Sequence, residues 1–142
     1  MTTESTRQTL EAYLEALLSF GNYTRLMTED VTVSFMGTDR TVVGRDAARQ
    51  LIDFVHQQAF KTAVKVNTVV CGDSHALLEA EFVGTHIGNF EGVPASHRHV
   101  RVPYAAAYDL EDGRIKALRL YFPIELLFRQ ISGITEEAPQ AV

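Results

Sequence analysis

Apolar residues near the amino terminus recur with the spacing of an amphipathic helix. They fall three or four positions apart, so one stripe of the predicted helix faces a core. The Gly21-Asn22 pair ends this helix, because both residues tolerate the backbone conformation that follows a helix. A short helical segment from Tyr23 to Met27 is expected next. The stripe of the first helix consists of Leu10, Tyr13, Leu14, Leu17 and Leu18.

A strand and a second helix are predicted to follow. Residues 31–35 alternate between apolar and polar side chains, the period of two that is typical of a half-buried strand. Residues 40–43 are expected to pair back onto this strand. The helical spacing returns after Asp46, which suits the positive end of a helix dipole. The stripe of the second helix consists of Ala48, Leu51, Ile52, Val55 and Ala59.

The remaining chain has the composition of strands joined by turns. The Asp112-Gly113 pair lies between two apolar runs and is a strong hairpin signal. Pro123 ends the last strand, because it has no N–H group for the sheet, and a closing helix is predicted over 124–131. Residues 85–99 contain glycines and a proline and predict a long excursion. The predicted strands cover residues 64–71, 75–84, 100–110 and 115–122.

This order of elements predicts an α+β fold in which helices pack on one face of an antiparallel sheet. The sheet must curve strongly to wrap around the long amino-terminal helix. Such a sheet forms a cone-shaped barrel, and its open end is a ligand pocket. Residues 1–142 are expected to form a single domain with a disordered tail over residues 135–142.

Composition narrows the class of protein. A chain of 142 residues with 46% apolar side chains can form one domain with a continuous core. Its net charge of -5 argues against nucleic acid as a partner, and no apolar run approaches the roughly 20 residues that cross a membrane. The chain starts without an apolar signal segment, which favours a cytoplasmic location.

Four stretches match the motifs of a known family. Residues 84–98 resemble the Gly-Thr-His-x-Gly-x-Phe-x-Gly-x-Pro loop of the SnoaL-like polyketide cyclases. Residues 43–47, 109–115 and 126–131 resemble that family's second-helix entry, hairpin and closing segment. The resemblance implies a nuclear-transport-factor-2-like cone, commonly a homodimer through the sheet. It also implies a small apolar, oxygen-bearing substrate and an intramolecular aldol ring closure without metal or cofactor.

The sequence departs from that family at its reactive groups. Aligned through the hairpin, the family's acid/base Asp falls on Pro123, and its His falls on Asp109. The base of the related ketosteroid isomerases falls near Phe35, which cannot accept a proton, although Tyr13 lies where those enzymes place a donor. Limonene epoxide hydrolase chemistry is not expected, because no strand carries an Arg and an Asp two residues apart.

Two residues are candidates for proton transfer. The register of His86 with Phe82 places its imidazole toward the interior, and an imidazole titrates near neutral pH. The alternative is that His86 holds the following loop by hydrogen bonds. Asp109 lies in an apolar strand, where burial would raise its pKa and make it a base. The alternative is an end-of-strand carboxylate that faces water.

Arg119 and Tyr121 are candidates for polarising a carbonyl group. Both share a face of the last strand with Pro123, so they would point inward if the family's Asp does. The alternative for Arg119 is an ion pair across the sheet. Aromatic residues spread over the predicted helix and strands are expected to line the substrate pocket. These are Tyr13, Phe35, Phe82, Tyr104 and Tyr108.

No cofactor or metal is predicted. Nucleotide-binding glycine motifs are absent from the sequence, and His97 and His99 have no Cys or acidic neighbour to complete a metal site. The sequence therefore predicts a cofactor-free cyclase or isomerase that acts on a polyketide-like molecule. It would act by carbonyl polarisation and proton transfer, or by templating ring closure. The alternative is a non-catalytic small-molecule-binding or dimerisation module of the same fold.

Overall fold

The computed structural model describes residues 1–133, so the predicted disordered tail at 135–142 lies outside the described residues. A 3₁₀ turn at Tyr23–Leu26 follows the first helix, and a π-helix at Phe54–Ala59 extends the second. The helices are α1 (Thr3–Leu18), α2 (Arg45–Asp53) and α3 (Ile124–Ser132). The strands are β1 (Met27–Phe35), β2 (Thr41–Val43), β3 (Phe60–Cys71), β4 (His75–His86), β5 (His99–Glu111) and β6 (Arg114–Tyr121).

Within the described residues, six strands form one sheet in the order β2-β1-β6-β5-β4-β3. Strands β3 to β6 run as an antiparallel meander, as the turn signals predicted. The pairing of β1 with β6 is parallel, so the expectation of a purely antiparallel sheet is wrong at this one pair. The reason is topological, because α2 and four strands intervene and β6 returns in the direction of β1.

The sheet bends where its strands are irregular. Register shifts occur between Val66 and Thr68 in β3 and between Asp109 and Leu110 in β5. Such bulges increase local twist, and they let long strands curve around a helix. At Gly84 in β4 the neighbouring strand β3 approaches closely, since a Cβ built there would overlap the carbonyl oxygen of Lys61. A side chain is therefore excluded at this position.

The buried residues divide into two clusters. One lies under α1 and contains Leu10, Tyr13 and the inward residues of β1 and β6. The other lies under the 87–98 loop and is rich in aromatic residues, among them Phe60 and Phe82. The rings of Phe60 and Phe82 meet edge to face at 5.3 Å, a favoured geometry for aromatic pairs. Space between this aromatic cluster and the sheet forms the cavity described below.

The second helix changes its geometry near its end. Periodicity predicted one continuous helix up to Ala59, whereas Phe54–Ala59 forms a π-helix. A π-helix uses i→i+5 hydrogen bonds, so its wider turn projects side chains that an α-helix would turn away. This segment carries Phe54, Val55 and His56 to the cavity wall.

No helix among residues 1–133 combines the length and apolar character needed to cross a bilayer.

The close strand approach at Gly84 generates the first prediction. Gly84→Ala is expected to destabilise the fold by about 3 kcal/mol, because the added methyl group overlaps backbone that has no room to shift. For a domain of this size the melting temperature should fall by roughly 10 °C, measured by circular dichroism. Gly72→Ala is the matched control, because its nearest contact would be an ordinary 3.6 Å. Equal melting temperatures for both variants would refute this account of the close approach of β3 at Gly84.

Candidate functional site

A cavity of about 480 Å³ opens between the curved sheet and the α2 and α3 helices. Seven of its 21 lining residues are Phe or Tyr, to which β1, the π-helix, β4, the 87–98 loop, β5 and α3 all contribute. Together with aliphatic neighbours these rings border a partly open, mainly apolar space, typical of a small-molecule site. The aromatic lining residues are Phe35, Phe54, Phe82, Phe90, Tyr104, Phe122 and Phe128.

The rings hold one another in place. Phe122 packs against Phe82 at 5.6 Å and against Tyr104 at 5.5 Å between ring centroids. Phe90 in the loop packs against Phe54 at 6.4 Å and against Phe128 of α3 at 5.8 Å. The loop, the π-helix, the sheet and α3 are therefore connected by one continuous aromatic wall. A wall fixed in this way is pre-formed for a flat apolar ligand.

Tyr104 lines the cavity and carries a phenol hydroxyl group. Burial raises its pKa to about 12, so the phenol stays protonated and can donate a hydrogen bond at any physiological pH. Among the residues that the structure describes, nothing hydrogen-bonds to this hydroxyl group. It is therefore available to a ligand oxygen.

His56 supplies an imidazole to the same wall. Its Nδ1 atom lies 2.8 Å from the carbonyl oxygen of Ile52. A carbonyl oxygen accepts only, so Nδ1 carries the proton and Nε2 is left with a free lone pair in the neutral ring. Burial lowers the pKa of His56 below its usual value of 6.5, against smaller opposing effects of Ile52 and Asp53. The ring is therefore neutral at pH 7.

An ion pair spans the mouth of the cavity. Arg40, in the turn after β1, donates to Glu91 of the loop at 2.9 Å. Both side chains are half exposed, so this pair contributes little to stability. Glu91 and Gly92 have positive φ angles, and Phe90 beneath them is buried. The predicted excursion is thus a loop whose tip covers the cavity and whose aromatic side chain anchors it.

Three of the five predicted pocket residues line this cavity. Phe35, Phe82 and Tyr104 face it as expected. Tyr13 and Tyr108 do not, which corrects their assignment, because both are buried within the core under α1. Their rings meet edge to face at 6.0 Å and leave no space between them.

His86 is fully buried but does not line the cavity, so its expected place in the pocket is corrected. Its Nδ1 atom lies 3.1 Å from the backbone nitrogen of Ser96 and 2.8 Å from the Ser96 hydroxyl. Because Nδ1 accepts the backbone N–H of Ser96, the imidazole fixes the far end of the 87–98 loop. Its Nε2 atom has no hydrogen-bond partner within residues 1–133. This arrangement matches the loop-holding alternative for His86.

Asp109, Arg119 and Tyr121 lie on the outer face of the sheet, so the expectation that they point inward is wrong. Leu118 and Leu120 of β6 face the interior, and alternation along the strand turns Arg119 and Tyr121 outward. Tyr121 is 50% exposed. The three residues therefore cannot reach a ligand held in the cavity.

Arg119 and Asp109 form a bidentate ion pair on this outer face. The two guanidinium contacts measure 2.7 and 3.1 Å, and His75 lies 2.9 Å from the same carboxylate. Hydrogen bonding from Arg119 lowers the pKa of Asp109, opposite to the expected rise. The ion-pair alternative for Arg119 is thus the arrangement observed. Pro123, the position aligned with the family's acid/base Asp, is exposed and brings no titratable group to the cavity.

Five lining residues of the cavity were not predicted from the sequence: Phe54, His56, Phe90, Phe122 and Phe128. A signal for His56 was present, because it lies four residues after Ile52 and three before Ala59, on the apolar stripe of the second helix. A titratable residue on such a stripe faces a core or a cavity. The sequence contains no comparable signal for the π-helix that orients the His56 side chain.

The family model of the SnoaL-like polyketide cyclases matches residues 7–131. The chain therefore belongs to the SnoaL-like polyketide cyclase family, as its motifs indicated. A search of curated proteins gives no significant match.

Solved structures agree on the fold, which is nuclear-transport-factor-2-like as expected. A protein from Jannaschia sp. CCS1, provisionally named a SnoaL-like polyketide cyclase, superposes with a TM-score of 0.83 at 21% identity, over 92% of this chain and 93% of that one. A provisionally named polyketide cyclase from Xanthomonas campestris pv. campestris gives 0.81 at 18% identity, over 91% and 98%. An LEH-like epoxide hydrolase from M. tuberculosis gives 0.68 at 22%, over 94% and 96%. Such distant similarity establishes the fold alone.

The outer-face ion pair generates the second prediction. Asp109→Asn is expected to cost about 1 kcal/mol at pH 7, because a half-buried guanidinium loses its charged partner. The folded pKa of Asp109 lies below its unfolded value, so this stabilisation is complete above about pH 4 and is lost as the pH falls further. Urea unfolding at pH 7 and pH 3 measures the difference. Glu111→Gln, which removes one half of an exposed 3.9 Å pair, is the control. A cost that persists unchanged at pH 3 would contradict the assignment.

Proposed function

We propose that this protein is a cofactor-free cyclase or isomerase that acts on a neutral, apolar small molecule bearing carbonyl groups. The observation that carries the proposal is the aromatic-rich cavity with Tyr104 in its wall, whose hydroxyl group is unpartnered within residues 1–133. Membership of the SnoaL-like family supports the polyketide-like substrate class.

The volume and the lining of the cavity favour a small, neutral substrate. A volume of about 480 Å³ lies within the range of roughly 300–1,000 Å³ for small-molecule sites. The charged lining residues, Asp39, Arg40 and Glu91, belong to the mouth, and two of them neutralise each other. A charged substrate would lose its hydration inside without gaining a partner. A neutral molecule with a flat apolar skeleton therefore fits best.

The hydroxyl group of Tyr104 is the proposed donor to a carbonyl oxygen of the substrate. A ketone oxygen placed against this hydroxyl accepts a hydrogen bond that strengthens as negative charge develops on the oxygen. The aromatic wall holds a flexible substrate folded, so that two of its carbons stay close together. Proximity of this kind lowers the barrier to ring closure without any further chemical group.

A second function, binding without catalysis, is favoured by one observation. Pro123 occupies the position of the family's acid/base Asp, and the residue is exposed. In this alternative the cavity sequesters the ligand, and the domain serves binding or dimerisation. The two functions differ in turnover, because a binder returns its ligand unchanged.

A homodimer through the outer face of the sheet belongs to the same proposal. Val70, Leu77 and Tyr121 expose 59%, 57% and 50% of their surfaces on or beside this face. Apolar side chains exposed together favour association. Light scattering coupled to size-exclusion chromatography measures the mass, and a monomer at micromolar concentration would contradict this part.

The proposed function is tested by ligand binding followed by product analysis. The neutral fluorescent probe N-phenyl-1-naphthylamine reports cavity binding, and aromatic ketones, diketones and steroids compete with it. Competing compounds should also raise the melting temperature, because they bind the native state. Chromatography and mass spectrometry of each competitor then distinguish conversion to an isomer from simple binding. Failure of every apolar compound to bind would refute the proposal.

Filling the cavity generates the third prediction. Leu120 lines the cavity, and Leu120→Trp introduces an indole into it, so the affinity for the fluorescent probe should fall at least tenfold, or about 1.4 kcal/mol. Leu18→Trp makes the same substitution at an exposed position at the end of α1 and should leave the affinity unchanged. Fluorescence titration measures both. Equal affinities would mean that the probe binds elsewhere.

Removing the cavity hydroxyl generates the fourth prediction. Tyr104→Phe should weaken binding of ketone competitors about fivefold to tenfold, because one hydrogen bond of about 1 kcal/mol is lost. The hydrocarbon analogue of each ketone should bind this variant and the native protein alike. Tyr121→Phe removes a hydroxyl group from the outer face and is the control. If Tyr121→Phe has the larger effect, the inward hydroxyl is not the carbonyl donor.

A further inference from the structure

His56 is a titratable residue in the wall of the cavity. Neither carbonyl polarisation by Tyr104 nor templating by the aromatic wall uses it. The π-helix brings its ring to the wall, where it meets Phe82 edge to face at 6.1 Å. The Ile52 carbonyl oxygen holds Nδ1, which fixes both the orientation of the ring and its tautomer. In the described part of the chain, Nε2 has no hydrogen-bond partner. An oriented, unpartnered lone pair inside an apolar cavity is the arrangement that a general base requires.

We propose that Nε2 of His56 is the proton acceptor of this cavity and that His56 is therefore a catalytic residue. This inference rests on the proposed function, since it concerns the same cavity and the same neutral carbonyl substrate. In this chain Pro123 occupies the position of the family's acid/base Asp, and His86 is hydrogen-bonded to the 87–98 loop. His56 is therefore the residue proposed to transfer the proton.

Other titratable groups are poorly suited to this role. Tyr104 keeps its proton because burial raises its pKa to about 12. His86 does not line the cavity. Asp39 and Glu91 lie at the mouth in contact with water, and Glu91 is held by Arg40. His56 combines an inward position with a lone pair that is free at neutral pH.

The charges around His56 keep the imidazole neutral until it reacts. On its own helix the nearest acid is Asp53, whose carboxylate accepts from the Tyr23 hydroxyl at 2.6 Å and faces Arg49 at 3.4 Å. On the sheet side the ring meets Phe82, and the remaining charged lining residues belong to the mouth: Asp39, Arg40 and Glu91. Burial is the largest influence on the imidazole, and it favours the neutral form.

The proposed step transfers one proton and returns it. Nε2 takes a proton from a carbon next to a carbonyl group, and the C–H electron pair becomes the carbon–carbon double bond of an enolate. The enolate oxygen carries the negative charge and accepts from the Tyr104 hydroxyl. The enolate carbon then attacks a second carbonyl carbon of the same molecule, and a C–C bond forms. The second carbonyl oxygen takes the proton back from Nε2, so the product is an isomer and no co-reactant is consumed.

A test of His56 does not need the natural substrate. The probe 5-nitrobenzisoxazole is flat, neutral and aromatic, and it reports a base directly. The base removes the proton on C3, the C–H pair completes a nitrile, and the N–O bond breaks to leave a coloured phenolate. The proton passes to Nε2 and then to water. Absorbance measures the rate, and N-phenyl-1-naphthylamine binding measures the state of the cavity in each variant.

The native protein should convert the probe faster than buffer does. His56→Gln should lower kcat/KM at least tenfold and change the affinity for N-phenyl-1-naphthylamine less than twofold. The exposed His99→Gln should match the native protein. Since burial depresses the folded pKa of His56, the native rate should be constant at neutral pH and should fall with a midpoint below 6.5. This pH dependence should vanish in His56→Gln.

Several outcomes would overturn the inference. These are a native rate no higher than buffer, a full rate in His56→Gln, or a rate that depends on His86→Gln instead. If the fluorescent probe binds while any of these is observed, the role of His56 fails and the proposed binding function stands. If no apolar probe binds at all, the proposed function itself fails.

Nuclear magnetic resonance of the native protein with ¹⁵N-labelled histidine tests the geometry without a variant. The His56 signals should report a neutral ring at pH 7 with the proton on Nδ1, and they should titrate below pH 6.5. A bound neutral ketone should shift the Nε2 signal more than the Nδ1 signal. A proton on Nε2 at neutral pH, or a charged ring, would contradict the assignment.

Discussion

The two-residue repeat of the pleated strand is the constraint on which the site depends. In β6, Leu118 and Leu120 point inward, so Arg119 and Tyr121 necessarily point outward. Shifting that alternation by one residue would place a guanidinium in the cone and two leucines in water. The burial of apolar surface thus decides which side chains can take part in chemistry. The apolar cavity and the polar outer face are two results of the same alternation.

Much of the fold was predictable from local patterns. The α1 stripe, the Asp112-Gly113 hairpin and the 85–99 excursion are each specified by a few neighbouring residues. The parallel pairing of β1 with β6 was not predictable in this way, because it joins segments with most of the chain between them. Local propensity carries no information on such a pairing.

The site was less predictable because its parts are set by tertiary structure. Phe82 and Tyr104 were expected at the pocket and line the cavity, yet the family's Asp position suggested the wrong face for Arg119. The apolar run of Leu118, Leu120 and Phe122 was the better guide in that strand. His56 lies in a π-helix, whose Phe54 stacks on Phe90 of the 87–98 loop. A helical wheel drawn with 3.6 residues per turn does not show where such a side chain points.

The parallel contact between β1 and β6 also sets the order in which the molecule can assemble. β1 lies near the amino terminus, whereas β6 is the last strand, and these two are neighbours as the second and third strands of the sheet. During synthesis the β3-β4-β5 meander can pair as it leaves the ribosome, but β1 must wait for nearly the whole chain. Closing so long a loop is costly in entropy, and only the subsequent pairing compensates for it. Since β1 and β6 both line the cavity, it is complete only when the β2-β1 pair has joined the other four strands.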